Sequence, residues 1–283
     1  MAGHRSPIWV HSPDPINAGA PDPRPLLMIH GFRGDHHGMD LIAAAVRGRD
    51  VIVPDLPGFG ASAALAAGLT LESYCDHLDA LAAEVTDRWQ VPPILAGHSF
   101  GSILVAHAVA RRREEVPELI LINPITSPAL EGSAKAMTAL TRLYYALGAR
   151  LPEAWGHQLL TNPLIVRLMS EVMATTRDRG LRRYIHDQHA RYFSTFSDRA
   201  SLAQAFDVSV GHTVTEVAGS LSMPTLVIAG DRDAIAPIAA TRDFVARLPD
   251  PALVELAGVG HLVHYERPEE SASSIMAFCR GRD

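Results

Sequence analysis

Cysteine is scarce in this chain: Cys75 and Cys279 are the only two among 283 residues. Thiols so few and so far apart form no disulfide framework, so a reducing compartment is expected. Positive charge is not in excess either, because 25 Lys and Arg stand against 31 Asp and Glu for a formal net charge of −6. That balance argues against a basic surface for nucleic acid. No apolar run approaches the ~20 residues of a membrane-spanning helix. The opening Met1-Ala2-Gly3-His4-Arg5-Ser6-Pro7 lacks the apolar core of a secretory signal. These absences lead to an expectation of a cytoplasmic protein with neither nucleic-acid nor membrane partner. No repeat or low-complexity tract stands out.

What is present is a hydrophobic fraction of 47% and a charged fraction of 20%, the balance of a soluble globular protein. The length suits one large domain or a core with a sizeable insertion. Short apolar runs recur at Leu26-Leu27-Met28-Ile29, Val51-Ile52-Val53, Ile94-Leu95-Ala96, Leu119-Ile120-Leu121-Ile122, Thr225-Leu226-Val227-Ile228-Ala229 and Ala252-Leu253-Val254. Each reads as a buried strand. Ile8-Trp9-Val10 suggests an additional strand at a sheet edge. Helical patterning separates several of the runs, over Met39 to Val46, Thr70 to Trp89 and Ile103 to Ala110. Alternation of this kind predicts an α/β fold with a mostly parallel, doubly wound sheet covered on both faces.

The rhythm stops between about Ser127 and Ser220, where helical patterning carries bulky residues such as Tyr144, Tyr145, Trp155, Met169 and Phe193. A block of this length is too large for a loop. We expect residues 127–220 to form a helical cap, or lid, over the catalytic edge of a core made by residues 1–126 and 221–283.

The stretch Gly97-His98-Ser99-Phe100-Gly101 falls between a strand and a helix. Two glycines without Cβ atoms let strand and helix approach closely around Ser99. The serine then sits in a sharp turn with its hydroxyl directed away from the sheet, and the Phe100 amide at the helix start is free to donate to an oxyanion. A serine hydroxyl needs a base, and the base needs an orienting acceptor. Two turns after later strands supply such groups: Gly230-Asp231-Arg232-Asp233 and Gly260-His261-Leu262-Val263-His264. Asp231 competes with Asp233 for the acid, and His264 with His261 for the base. Asp231 otherwise reads as a turn residue capping backbone amides, and His264 as a packed histidine.

Together with His30-Gly31-Phe32 and Asp55-Leu56-Pro57-Gly58-Phe59-Gly60, these motifs make the chain similar to the α/β-hydrolase family, in the serine-nucleophile branch with a helical cap. The resemblance covers about Leu26 to Cys279. It implies Ser99 as nucleophile, His261 as general base and then acid, and Asp233 as the carboxylate that orients it. It implies backbone amides of Phe32 and Phe100 as the oxyanion hole. Some relatives carry the acid after the preceding strand, but that turn here is Asn123-Pro124. His30, His98, Tyr144, Trp155 and Met169 are expected to touch substrate, although His30 also reads as a residue shaping the oxyanion loop.

The implied chemistry is hydrolysis of a small to medium, fairly apolar carboxylic ester or lactone through an acyl-enzyme, with no cofactor and no metal, in a monomer or homodimer. A carbon–carbon bond hydrolase, a cofactor-free oxygenase, perhydrolase or lyase with the same triad, and a non-enzymatic small-molecule receptor are the alternatives. Asp35-His36-His37 has no recognised metal-ligand spacing and reads as a solvated loop. Asp55 is expected to steady the Pro-Gly turn, Cys75 to be inert core, and Arg111-Arg112-Arg113 to complement a helix C-terminus.

Overall fold

The computed structural model describes residues 6–13, 24–112, 116–127 and 135–280, with side chains from residue 139 onward in the last segment. The Pro/Asp-rich stretch 14–23 and Arg113 lie outside the described residues.

Seven strands, β1 (Ile8–His11), β2 (Leu26–Ile29), β3 (Val51–Pro54), β4 (Ile94–His98), β5 (Leu119–Ile122), β6 (Thr225–Gly230) and β7 (Pro251–Leu256), form one sheet in the order β1-β3-β2-β4-β5-β6-β7. Only β1, at the edge, runs antiparallel to its neighbour. Strands β2 to β6 are buried along their whole length. That explains their continuous apolar runs, since helices cover both faces. Successive residues still divide between the two faces: Leu27 and Ile29 enter one core, Leu26 and Met28 the other.

Helices α1 (Asp40–Ala45), α2 (Leu71–Trp89) and α3 (Phe100–Arg111) follow β2, β3 and β4. Helix α2 starts where Thr70 and Ser73 exchange side-chain to backbone hydrogen bonds, a reciprocal N-terminal cap. The basic end of α3 has a further use, because Arg111 pairs with Asp76 at 2.7 Å and Arg112 with Asp79 at 3.0 Å, both on α2.

Between β5 and β6 lie α4 (Lys135–Arg150), α5 (Glu153–Leu160), α6 (Pro163–Met173), α7 (Arg179–Tyr192), α8 (Arg199–Gly211) and a 3₁₀ turn at Val214–Ser220. This is the helical insert expected where the strand rhythm breaks. Helices α9 (Ile238–Val245), α10 (Val263–Glu266) and α11 (Pro268–Arg280) complete the fold.

The loop at Asp35-His36-His37 departs from expectation. It is not solvated: Asp35 and His36 are buried. The His36 ring stacks on Trp9 at 3.3 Å, its Nδ1 lies 2.8 Å from Asp55 Oδ1, and Asp35 Oδ1 accepts from the His37 amide. Asp55 also accepts from the Ala61 amide at 2.7 Å, which fastens the Pro-Gly turn. Both cysteines are buried, and burial raises their thiols to about 11 for Cys75 and about 12 for Cys279. Neither is a thiolate at neutral pH.

Candidate active site

The turn from β4 into α3 holds Ser99 at φ 53° and ψ −117°, a strained conformation for a residue with a Cβ. Close packing enforces it. A Cβ on Gly97 would collide with the Gly101 carbonyl, and one on Gly101 with the Ile29 carbonyl of β2. The Ser99 amide donates to Ile122 O at 3.0 Å, and the Ser102 hydroxyl donates to Ser99 O at 2.5 Å. Ser102 Oγ in turn accepts from the Ile125 amide at 3.3 Å, so the turn is anchored to the chain after β5.

His261 arrives on the loop after β7 with its Nε2 2.6 Å from Ser99 Oγ. Its Nδ1 lies 2.7 Å from Asp233 Oδ2, on the loop after β6. A carboxylate only accepts, so Nδ1 carries the proton and the Nε2 lone pair faces the serine hydroxyl. Asp233 is thoroughly engaged: Oδ1 accepts from the amides of Ile235 (2.8 Å) and Ala236 (2.9 Å), and Oδ2 also accepts from Asn123 Nδ2 at 2.7 Å. Burial alone would push its carboxyl up, but His261, the Ala236 amide and Asn123 outweigh it and hold the group below the ordinary carboxylate value.

The rival residues stand elsewhere. Asp231 is exposed and accepts from the Gly258 amide at 2.6 Å, bridging the two loops. His264 is buried beside His98, with 4.1 Å between ring centroids. His98 donates from Nε2 to the His261 carbonyl at 3.2 Å, while burial and the neighbouring His261 lower it to about 3. His30 is wholly buried; its Nε2 accepts from the Leu56 amide at 2.9 Å and its Nδ1 donates to Gly31 O at 2.9 Å. Burial lowers its basicity. Both His30 and His98 thus tie loops together through backbone partners.

Among the described residues, no hydrogen bond occupies the amides of Phe32 or Phe100. The Phe32 ring lies among Phe59 (5.8 Å), Phe100 (6.1 Å), Tyr145 (5.5 Å) and Phe206 (5.8 Å). Tyr145 and Phe206 come from the insert. Tyr144 instead directs its hydroxyl to the carbonyls of Leu159 and Leu160. Trp155 is 69% exposed. Met169 is half-buried on α6.

Sequence reasoning missed Arg33, which directly follows Phe32 and is only 3% exposed. Its guanidinium donates to Phe193 O and Leu160 O, both at 2.8 Å, and reaches the Tyr145 hydroxyl at 3.4 Å. Those carbonyls belong to the C-terminal ends of α7 and α5, where helix dipoles concentrate negative charge. A cation inside the protein is thereby satisfied without a carboxylate.

A family model described as alpha/beta hydrolase fold matches residues 24–268. Among curated proteins, the chain is 28% identical to a dihydrolipoyllysine-residue acetyltransferase component of an acetoin cleaving system from Pseudomonas putida. That match covers 90% of this chain and 63% of the relative, so the chain spans under two thirds of that protein's length. It is 27% identical to a pimeloyl-acyl-carrier protein methyl ester esterase from Chromobacterium violaceum, over 83% of this chain and 86% of the relative. Among solved structures, a thermophilic esterase from Thermogutta terrifontis superposes with a TM-score of 0.76 at 22% identity, covering 97% of this chain and 93% of that one. At that identity the likeness is one of fold.

Proposed function

The chain belongs to the alpha/beta hydrolase fold family, and from that premise we propose that it is a serine esterase working through an acyl-enzyme on Ser99. The observation that carries this reading is the unbroken line Ser99 Oγ to His261 Nε2 (2.6 Å) and His261 Nδ1 to Asp233 Oδ2 (2.7 Å). In the first half-reaction His261 Nε2 takes the hydroxyl proton as Ser99 Oγ bonds to the ester carbonyl carbon. The amides of Phe32 and Phe100 receive the developing oxyanion. His261 then gives its proton to the departing alkoxide, leaving acyl-Ser99. Water, deprotonated by His261, releases the acid and restores the serine. Asp233 stabilises the imidazolium in both halves without being protonated.

The rings around Phe32 favour an uncharged, fairly apolar acyl group. Carboxylic esters and lactones both fit, and the relative named as a methyl ester esterase supports an ester bond. In this reading residues 127–220 serve as the cap, supported by Tyr145 and Phe206 packing against the oxyanion-loop phenylalanine. The core is then residues 1–126 and 221–283. Among the described residues no helix is long and apolar enough to cross a membrane, and two buried free thiols suit a reducing interior.

A chain-length panel of p-nitrophenyl esters and aliphatic lactones, run with a fluorophosphonate probe, tests the proposal. We expect labelling confined to Ser99 and turnover of short to medium esters. Hydrolysis by wild type no faster than by Ser99→Ala would instead support a receptor that retains a hydrolase pocket.

A further inference from the structure

The helix that begins at the elbow carries a histidine for which the chemistry above has no use. His107 lies on α3 and faces the point where α8 ends and the 3₁₀ turn at Val214–Ser220 begins. There its Nε2 is 3.7 Å from Glu216 Oε2, while His212 Nδ1 is 3.0 Å from the same oxygen. One ligand atom from each of these three residues lies within 4.8 Å of the other two. The Thr213 carbonyl oxygen, 3.0 Å from His107 Nε2, adds a further oxygen to the group. Glu216 is preset: its Oε1 accepts from the Thr213 amide at 2.6 Å, which holds Oε2 towards the imidazoles.

Donors around a tetrahedral zinc ion, at bond lengths of about 2.0–2.1 Å, stand about 3.3–3.4 Å apart. Two of the separations, 3.0 and 3.7 Å, straddle that value and the third lies within 4.8 Å, so coordination needs the His107 and His212 rings to close on a common ion beside Glu216. Two imidazoles and a carboxylate suit a borderline divalent ion better than calcium or magnesium, which take oxygen. His212 is half-buried and Glu216 exposed, which leaves a way in from solvent. The Asp35, His36 and His37 group is less open: Asp35 and His36 are buried, and Asp55 already holds the His36 ring.

We propose that His107, His212 and Glu216, with the Thr213 carbonyl, form a binding site for a divalent transition-metal ion, zinc being the best match, that fastens the elbow helix to the end of the helical insert. The protons now shared between imidazole nitrogens and their oxygen partners are displaced when the ion enters.

The test is calorimetric titration of the whole, chelator-treated protein with zinc chloride, paired with heat unfolding. One equivalent should bind in the micromolar range and raise Tm. His107→Gln, His212→Gln and Glu216→Gln should each weaken binding by about tenfold or more, while His37→Gln leaves it unchanged. Tm in chelator verifies that each variant folds. His212→Gln is decisive if the others are unstable, because its ring is the least enclosed. Absence of saturable uptake by folded wild type below ~1 mM zinc, or uptake unaltered in all three variants, overturns the site; the latter result would place the ion elsewhere, at His261 for example.

Discussion

Asn123 Nδ2 donates a 2.7 Å hydrogen bond to Oδ2 of Asp233, the same oxygen that accepts from His261. Asn123 occupies the turn after β5 at φ 45°, and Nδ2 also reaches Gly260 O at 3.3 Å. It therefore ties the Asp233 loop to the residue before His261. Asn123→Ala should lower kcat/KM by roughly 10- to 100-fold, the value of one hydrogen bond to a charged acceptor. A pH profile distinguishes positioning from simple destabilisation. With Asn123 gone, Asp233 is less strongly held in its ionised form, so the acid limb of the profile should move to higher pH. An unchanged profile with full activity would show that Asn123 only fills space.

Removal of the reacting groups is expected to be far more severe. Ser99→Ala and His261→Ala should each reduce ester turnover by on the order of 10⁴-fold or more, and Asp233→Asn somewhat less. Asp231→Asn keeps an acceptor for the Gly258 amide and should stay within a few-fold of wild type. Steady-state kinetics on one p-nitrophenyl ester decides it: loss of activity in Asp231→Asn with retention in Asp233→Asn reverses the assignment of the acid.

The sheet and the strand-to-helix turn at Ser99 were legible because each rests on a local pattern. Buried parallel strands write themselves as apolar runs, and the elbow requires small residues at Gly97 and Gly101 whatever surrounds it. Asn123 was visible only as a missing carboxylate, since its value depends on where Asp233, 110 positions away, comes to lie. Arg33 carries no local signal for the same reason: its acceptors lie at the ends of α5 and α7. The exposure of Trp155 was not legible, because helical periodicity reveals an apolar stripe without saying whether a neighbour covers it.

Arg33 supplies a prediction about stability. Its removal takes the donor from the Phe193 carbonyl and leaves the Leu160 carbonyl with only the Tyr144 hydroxyl at 3.3 Å, both near helix ends. Arg33→Met should cost on the order of 2–4 kcal/mol in urea unfolding. Arg33→Lys should recover little, because one ammonium on a flexible stem does not reproduce a planar fork bonded to two separate carbonyls. As Phe32 is the adjacent residue, kcat/KM should fall in both variants. Stability within ~0.5 kcal/mol of wild type in Arg33→Met would mean that the buried guanidinium contributes nothing net.

Acid should unfold this protein early, for a reason that lies behind the catalytic histidine. His98, His264, Tyr265 and His189 form a buried sequence of rings, with centroid separations of 4.1, 4.3 and 5.7 Å. Ser170 Oγ links His189 Nδ1 (2.7 Å) to His186 Nδ1 (2.5 Å), and His186 Nε2 lies 3.2 Å from Glu171 without being aligned to donate to it. Among the described residues, the Nδ1 of His264 and the Nε2 of His189 have no hydrogen-bond partner, so a proton added there finds no acceptor. Burial lowers His98 and His189 from the ordinary 6.5 to about 3, and His264 falls well below 6.5 as well. The folded state therefore refuses protons that the unfolded chain takes up between about pH 6.5 and 3, and stability decreases as pH falls through that window. For His98 and His189 together the loss between pH 6.5 and 5 is roughly 3 kcal/mol, because each group approaches the limiting slope of about 1.4 kcal/mol per pH unit only below its unfolded value. Asp233 and Asp55, both held below the ordinary 3.8, add their losses only at lower pH. Urea unfolding at intervals from pH 5 to 8 reads the slope directly, and His189→Phe should flatten it by about the share of one group. Equal stability at pH 5 and pH 7 would mean that these rings acquire protons in the folded protein without penalty, and that water or movement of α7 supplies the acceptors they lack.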